Sequence, residues 1–303
     1  MSRPSNGLHT EKMYAICMTA RLLLCLAPVL LAQPKLEVTS ALGTKFYSLP
    51  DEKGAIAEAH KNLSAEPKNI ALMLKLALAQ SAAREYRESV ATCTKGLAID
   101  PNNADLLTER GHRELGLREF SKARADLELS AKIDSKKPDT YYHLGLSHYF
   151  SGEFAQAADA FRQAVDLAPS TDSRINSTNW LYASLRRAKK DDEAAKALAG
   201  ITPDLKNTEP HTFFYLSLVR FFQGRMPEAE AVPPQPGPGN TDVEAELRFD
   251  TVAYGIGNWY LYNGNQAKAQ EYFRKIVKGN VWITWGYIGA ENEVARAGKT
   301  KAD

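Results

Sequence analysis

The side chains able to do acid–base, nucleophilic or metal chemistry are spread through this 303-residue chain rather than gathered into a motif. Of the six histidines, the nearest pair is His143 and His148. Their spacing puts them on different faces of a helix, whereas a zinc-protease pair needs two histidines one turn apart with a glutamate between them. The acidic run Asp191, Asp192 and Glu193 reads as the first turn of a helix, where carboxylates meet the positive end of the dipole. The segment GPGNTD, from Gly237 to Asp242, has neither the spacing nor the lysine of a phosphate-binding loop, and no GxSxG elbow occurs. These residues point to no catalytic site, no metal and no cofactor.

What the chain does carry is a period. Small and large residues recur at intervals of 34: Ala77, Gly111 and Gly145; Ser89, Ala123 and Ala157; Cys93, Leu127 and Phe161; Gly96, Ser130 and Ala164; Pro101, Ser135 and Pro169. Self-similarity of this kind marks stacked repeats. Within TYYHLGLSHYFSGEFAQAADAFRQAVDLAP, two apolar stripes at helical spacing flank a turn at Ser151-Gly152, which predicts a helical hairpin. Gly145 and Ala157 are expected at the crossing, where small residues let two helices approach, with Phe161 filling the space beside them. Pro169 cannot continue the second helix and starts the link to the next unit. Cys93 shares the register of Leu127 and Phe161, so its thiol is expected in the packed interior, where it is inert.

These residues resemble the tetratricopeptide repeat family, whose unit is a hairpin of about 34 residues with small, large and proline positions in this order. The resemblance is strongest over residues 70–169 and implies an all-α solenoid of antiparallel hairpins. Before that block, DEKGAIAEAHKNLSAEP resembles the second helix of an incomplete unit, whose first helix is expected within Leu36 to Leu49. After it, a fourth hairpin is expected from Asn179, with Ala183 and Ala194 near the crossing, and a fifth at FYLSLVRFFQGRMPEAEA, with Gly224 at the turn and Ala229 as the small residue. The prolines and glycines of Val232 to Asp242 interrupt that fifth unit. The pattern resumes with Gly257, Gly264, Ala269 and Phe273, and Trp282 to Ala297 is expected to form a C-terminal capping helix. The organisation read from the sequence is therefore a leader (1–32), an N-terminal segment with a partial repeat (33–69), the solenoid (70–231), a Pro/Gly-rich linker (232–242) and a C-terminal unit with its cap (243–303). The final portion resembles the C-terminal part of exported bacterial members of the family.

The leader itself reads as a signal peptide, because Leu22 to Ala32 is an unbroken apolar run following Arg21. It is too short to span a bilayer, which takes about 20 residues, so cleavage near Ala32 and no retained transmembrane anchor are expected. The protein is then periplasmic or extracellular. Cleavage would remove Cys17 and Cys25, leaving Cys93 without a disulfide partner, and would remove Arg3, Lys12, Arg21 and Glu11, leaving the remainder formally neutral. The whole chain already balances 38 basic against 36 acidic residues, which points away from a nucleic-acid partner.

A solenoid of this kind implies a groove lined by the first helix of each hairpin. The register expects Tyr142, Leu146, Tyr149 and Phe150 there in the third unit, Phe214, Leu218, Phe221 and Phe222 in the fifth, and Tyr254, Asn258, Leu261 and Tyr262 in the last. Such an aromatic stripe suits a protein or peptide partner. Some relatives grip a partner's carboxylate through Lys, Arg and Asn on this face. Here the first full unit offers Leu74 and Leu78, and Asn179, Arg186 and Arg187 of the fourth unit remain for an acidic partner. The competing expectation is that the aromatics pack between units or against the N-terminal segment. The expected function is an interaction scaffold of the cell envelope and not an enzyme; the alternatives are an accessory subunit of an envelope enzyme, a hydrolase whose site is scattered over repeats, or self-association into a homo-oligomer.

Overall fold

The chain reverses direction within each hairpin at one residue of left-handed backbone. In the computed structural model, which describes residues 33–205, 213–237, 239–240 and 242–299, these residues are Arg84 (φ 55°), Arg118 (65°), Gly152 (84°), Lys189 (59°), Gly224 (69°) and Gly264 (85°). Arg84, Arg118 and Gly152 keep the 34-residue interval of the sequence repeat. They join α2 (Ile70–Ala82) to α3 (Tyr86–Leu97), α4 (Ala104–Gly116) to α5 (Phe120–Ile133), and α6 (Pro138–Ser151) to α7 (Phe154–Asp166). Lys189, Gly224 and Gly264 join α8 (Thr171–Arg187) to α9 (Asp191–Ala199), α10 (Phe213–Phe222) to α11 (Glu228–Ala231), and α12 (Val243–Tyr262) to α13 (Gln266–Ile276). A side chain in this conformation costs about 1–2 kcal/mol. Arg118 uses it to reach inward, as described below.

Local chemistry starts these helices where the repeat expects them. Asn69 and Asn103 cap α2 and α4 by accepting from the amides of Leu72 and Leu106, at 3.2 and 3.1 Å. Pro138 opens α6 at a position that has no amide bond to lose. In three of the hairpins a glycine on the first helix makes room for a large residue on the second. A Cβ on Gly145 would lie 2.7 Å from the Phe161 ring, one on Gly111 2.7 Å from Leu127, and one on Gly257 2.8 Å from Phe273. The expected pairing of Gly145 with Ala157 is thus refined: the ring of Phe161 itself occupies the space. Cys93 is fully buried in this interior, and burial pushes its thiol up to about 12.

The N-terminal segment departs from the helical expectation. Residues Leu36–Thr39 (β1) pair antiparallel with Lys45–Tyr47 (β2), with Val38 opposite Phe46 and Gly43 at φ 82° in the connecting turn. In β2 the alternation of a strand is visible, with Phe46 buried between exposed Lys45 and Tyr47, whereas in β1 an irregularity of register between Leu36 and Val38 leaves both Glu37 and Val38 buried. Only the second helix of the partial repeat exists, as α1 (Ala55–Ala65).

At the other end, the fifth unit is truncated as the prolines require, since α11 has 4 residues. The last helix, α14 (Trp285–Lys299), does more than cap the stack. It lies along α12 and α13 and also touches α6. Among the described residues no helix is long and apolar enough to cross a membrane. The expected signal peptide, residues 1–32, lies outside the described residues.

Candidate interaction site

The face expected to be an open groove is filled by the chain itself. Two glycines let α14 lie directly on α12: a Cβ on Gly286 would be 2.2 Å from the Asp250 carbonyl oxygen, and one on Gly289 2.5 Å from the Tyr254 ring. Across from α12, α14 meets the first helices of the central units. Its Trp285 stands 5.4 Å from His112, 5.9 Å from His143 and 6.3 Å from Phe150, centroid to centroid. The two imidazoles stack on each other at 3.9 Å. Burial drives both far below the ordinary histidine range, with the Arg113 charge adding to it, and His143 reaches about 3. Both are therefore neutral packing groups at physiological pH.

Buried ion pairs complete the seal. Arg118 Nη2 donates to Glu291 Oε2 at 2.8 Å and to the Trp282 carbonyl at 3.1 Å, while Glu291 Oε1 accepts from the Ala41 amide of the β-hairpin turn at 2.9 Å. Phe46 of β2 stacks on Trp282 at 5.5 Å. Arg187 Nη1 donates to Glu293 Oε1 at 2.9 Å and to Asn258 Oδ1 at 3.1 Å. Arg296 Nη2 donates to the Phe150 carbonyl at 3.0 Å. The acidic partner expected for Arg187 is Glu293 of its own chain.

This packing corrects the placement of most expected groove residues. Leu146, Tyr149, Phe150, Asn179, Phe214, Leu218, Tyr254 and Asn258 are buried. Tyr149 is the junction between the third unit and α12: its hydroxyl accepts from Asn258 Nδ2 at 2.5 Å and from the Tyr254 hydroxyl at 3.3 Å. Leu218 sits against Gly255 of α12. Tyr142 is half-buried, its edge 5.9 Å from Phe161 and its hydroxyl donating to Asn176 Oδ1 at 3.2 Å. Most of these side chains are covered because their helices face α12 or α14 rather than water, and Tyr142 because it packs against α7 and α8.

Among the expected residues that are only partly buried, Arg186, Phe221 and Tyr262 lie near the ends of α8, α10 and α12. The Arg186 guanidinium lies over the Tyr262 ring at 4.5 Å, and its Nη1 and Nη2 donate to the Tyr182 hydroxyl at 3.0 Å and to Asn263 Oδ1 at 2.9 Å. Phe221 meets the edge of Trp259 at 5.3 Å, and Phe222 lies 4.6 Å from Tyr182. Trp259, also half-buried, was not among the expected residues. Its signal was its spacing from Tyr262, which puts the two on one face of α12. Around this strip come the ends of α8, α10 and α12. Nothing in it resembles a nucleophile–base pair, and among the described residues no group of three or more His, Cys, Asp or Glu is placed to hold a metal.

Models of the tetratricopeptide repeat match residues 138–171, the hairpin of α6 and α7, and residues 251–278, most of α12 with α13. No curated protein matches the chain. Solved structures with a similar fold include MamA from Desulfovibrio magneticus, 20% identical over 49% of this chain and 82% of that one, with a TM-score of 0.44. YrrB, described as a TPR protein with an unusual peptide-binding site, is 17% identical over 81% of this chain and 100% of that one, with a TM-score of 0.47. A tetratricopeptide repeat protein from Parabacteroides merdae is 15% identical over 74% and 85%, with a TM-score of 0.45. The hairpin recurs from α2 to α13, and two of its units are tetratricopeptide repeats by their match to models of that repeat.

Proposed function

We propose that this protein is an interaction scaffold of the cell envelope, which holds a polypeptide partner at the aromatic strip formed by Phe221, Trp259 and Tyr262 beside Arg186. The observation that carries this reading is that these side chains are only partly buried, while most of the expected groove residues are buried. Large aromatic rings next to an arginine are the residues that most often carry binding energy at interfaces. The apolar run from Leu22 to Ala32 supports export. The protein would act by stabilising a complex and not a transition state.

The test is to tag the chain at its C-terminus in its native cell, crosslink mildly, and compare what co-purifies from the envelope fraction with wild type and with Phe221→Ala/Trp259→Ala. One protein recovered with wild type and reduced at least about tenfold with the variant, at unchanged melting temperature, is the expected result. Equal recovery would overturn the assignment of the strip. Recovery of copies of this chain alone would replace the scaffold with self-association, and recovery from the cytoplasm would overturn export.

A further inference from the structure

Glu246 is a buried carboxylate with no ion pair among the described residues. It lies in the first turn of α12, is 3% exposed, and lines a cavity of about 240 Å³ bordered by residues 235–237, Gly239, α12 and the turn from α13 to α14. Among the described residues its one hydrogen bond comes from Asn240 Nδ2 to Oε1, at a long 3.4 Å, and no cation forms an ion pair with it. Gly279 is shaped to the carboxylate, since a Cβ there would lie 2.5 Å from Oε2. One turn further along α12, Asp250 accepts from the Thr284 hydroxyl at 2.6 Å, while its other oxygen has no partner. Burial, with the nearby Glu246 carboxylate adding to it, pushes Asp250 up to about 8.

A carboxylate taken out of water is stabilised only by a cation or by several good donors. Two cations stand at the same cavity without reaching it: Lys275, whose Nζ lies 2.7 Å from Glu271 Oε1, and Lys278, exposed and without an ion pair among the described residues. Phe249 supplies an apolar wall. We infer that this cavity binds a small free α-amino acid, with its ammonium on Glu246, its carboxylate toward Lys275 and Lys278, and its side chain along Phe249. A simple amine would satisfy Glu246 but face the two lysines, and a simple anion would meet the lysines but face Glu246. The cavity volume leaves room for a small amino acid such as alanine or serine.

Titration calorimetry of the full chain with L-alanine, propylamine and propionate decides the matter, and its outcome is independent of the scaffold reading. Saturable binding of L-alanine at millimolar concentration is expected, with propylamine at least about tenfold weaker and propionate unbound. Glu246→Gln, checked for unchanged circular dichroism and melting, should weaken L-alanine at least about tenfold. Lys278→Ala should weaken L-alanine but leave propylamine unaffected. Gly279→Ala, which presses on the carboxylate, gives the same loss by a second route should Glu246→Gln disturb the fold. No saturable heat with L-alanine, an unchanged affinity in the folded Glu246→Gln protein, or propylamine bound as tightly as L-alanine would each overturn the assignment.

Discussion

Arg187 at the end of α8 and Glu293 on α14 stand 106 residues apart in the sequence and are joined by a 2.9 Å bond between Nη1 and Oε1, their side chains 13% and 7% exposed. The guanidinium also lies over the Phe154 ring at 4.3 Å, so the pair ties the third and fourth units to the C-terminal helix. Removing one partner of such a pair strands the other charge in a dry environment. Arg187→Met and Glu293→Leu are each expected to lower unfolding free energy by about 3–5 kcal/mol, whereas the double variant should recover most of the loss. Urea titrations of the four proteins provide the check, and strictly additive losses would show that the two side chains do not depend on each other.

Gly145→Leu should loosen the third unit. Its side chain would begin 2.7 Å from the Phe161 ring, in an interior that has no room for it. The expected cost is at least about 1–3 kcal/mol, read as a lower urea midpoint. A midpoint equal to wild type would mean that α6 and α7 do not cross at this residue.

Stability should vary with pH in two opposed ways. Asp250 and Glu114 are raised by burial to about 8 and about 7, and each is also raised by a neighbouring carboxylate, Glu246 and Asp126 respectively. Both therefore hold protons in the folded chain that the unfolded chain has released above its ordinary carboxylate pKa of about 4, and their contribution is lost as pH rises toward 8. His143, held down to about 3, acts with the other sign. Its contribution is present above the ordinary histidine value of about 6.5 and is lost as pH falls below it, because the unfolded chain then binds a proton that the folded chain refuses. Between about pH 6.5 and 8 the carboxyl effect acts alone and stability should decline. Urea midpoints across this window should decline less in Asp250→Asn than in wild type. An identical decline would place an ionised Asp250 in the folded protein.

Much of the architecture was legible in the residues because the repeat is a local device. The interval shared by Ala77, Gly111 and Gly145, and by Cys93, Leu127 and Phe161, records which small residue meets which large one within a hairpin, and both lie within one short stretch of chain. Gly152, Gly224 and Gly264 marked their turns for the same reason. Arg84, Arg118 and Lys189 occupy equivalent turns without glycine's signature, so composition alone did not reveal them.

Which way the first helices face was not a local matter. Tyr149, Tyr254 and Asn258 keep the register of groove residues, and that register is compatible with either an open surface or a covered one. Only the packing of α12 against Tyr149, and of α14 against α8, decided that they are covered. Those contacts join residues more than a hundred positions apart in the chain, as Arg187 and Glu293 show, and they depend on shape and charge at two surfaces that no period relates. The sequence by itself determined the hairpins and their order. The tertiary structure decided which aromatic side chains are buried and which only partly so, because burial is a property of everything that packs against a residue and not of its own helix alone.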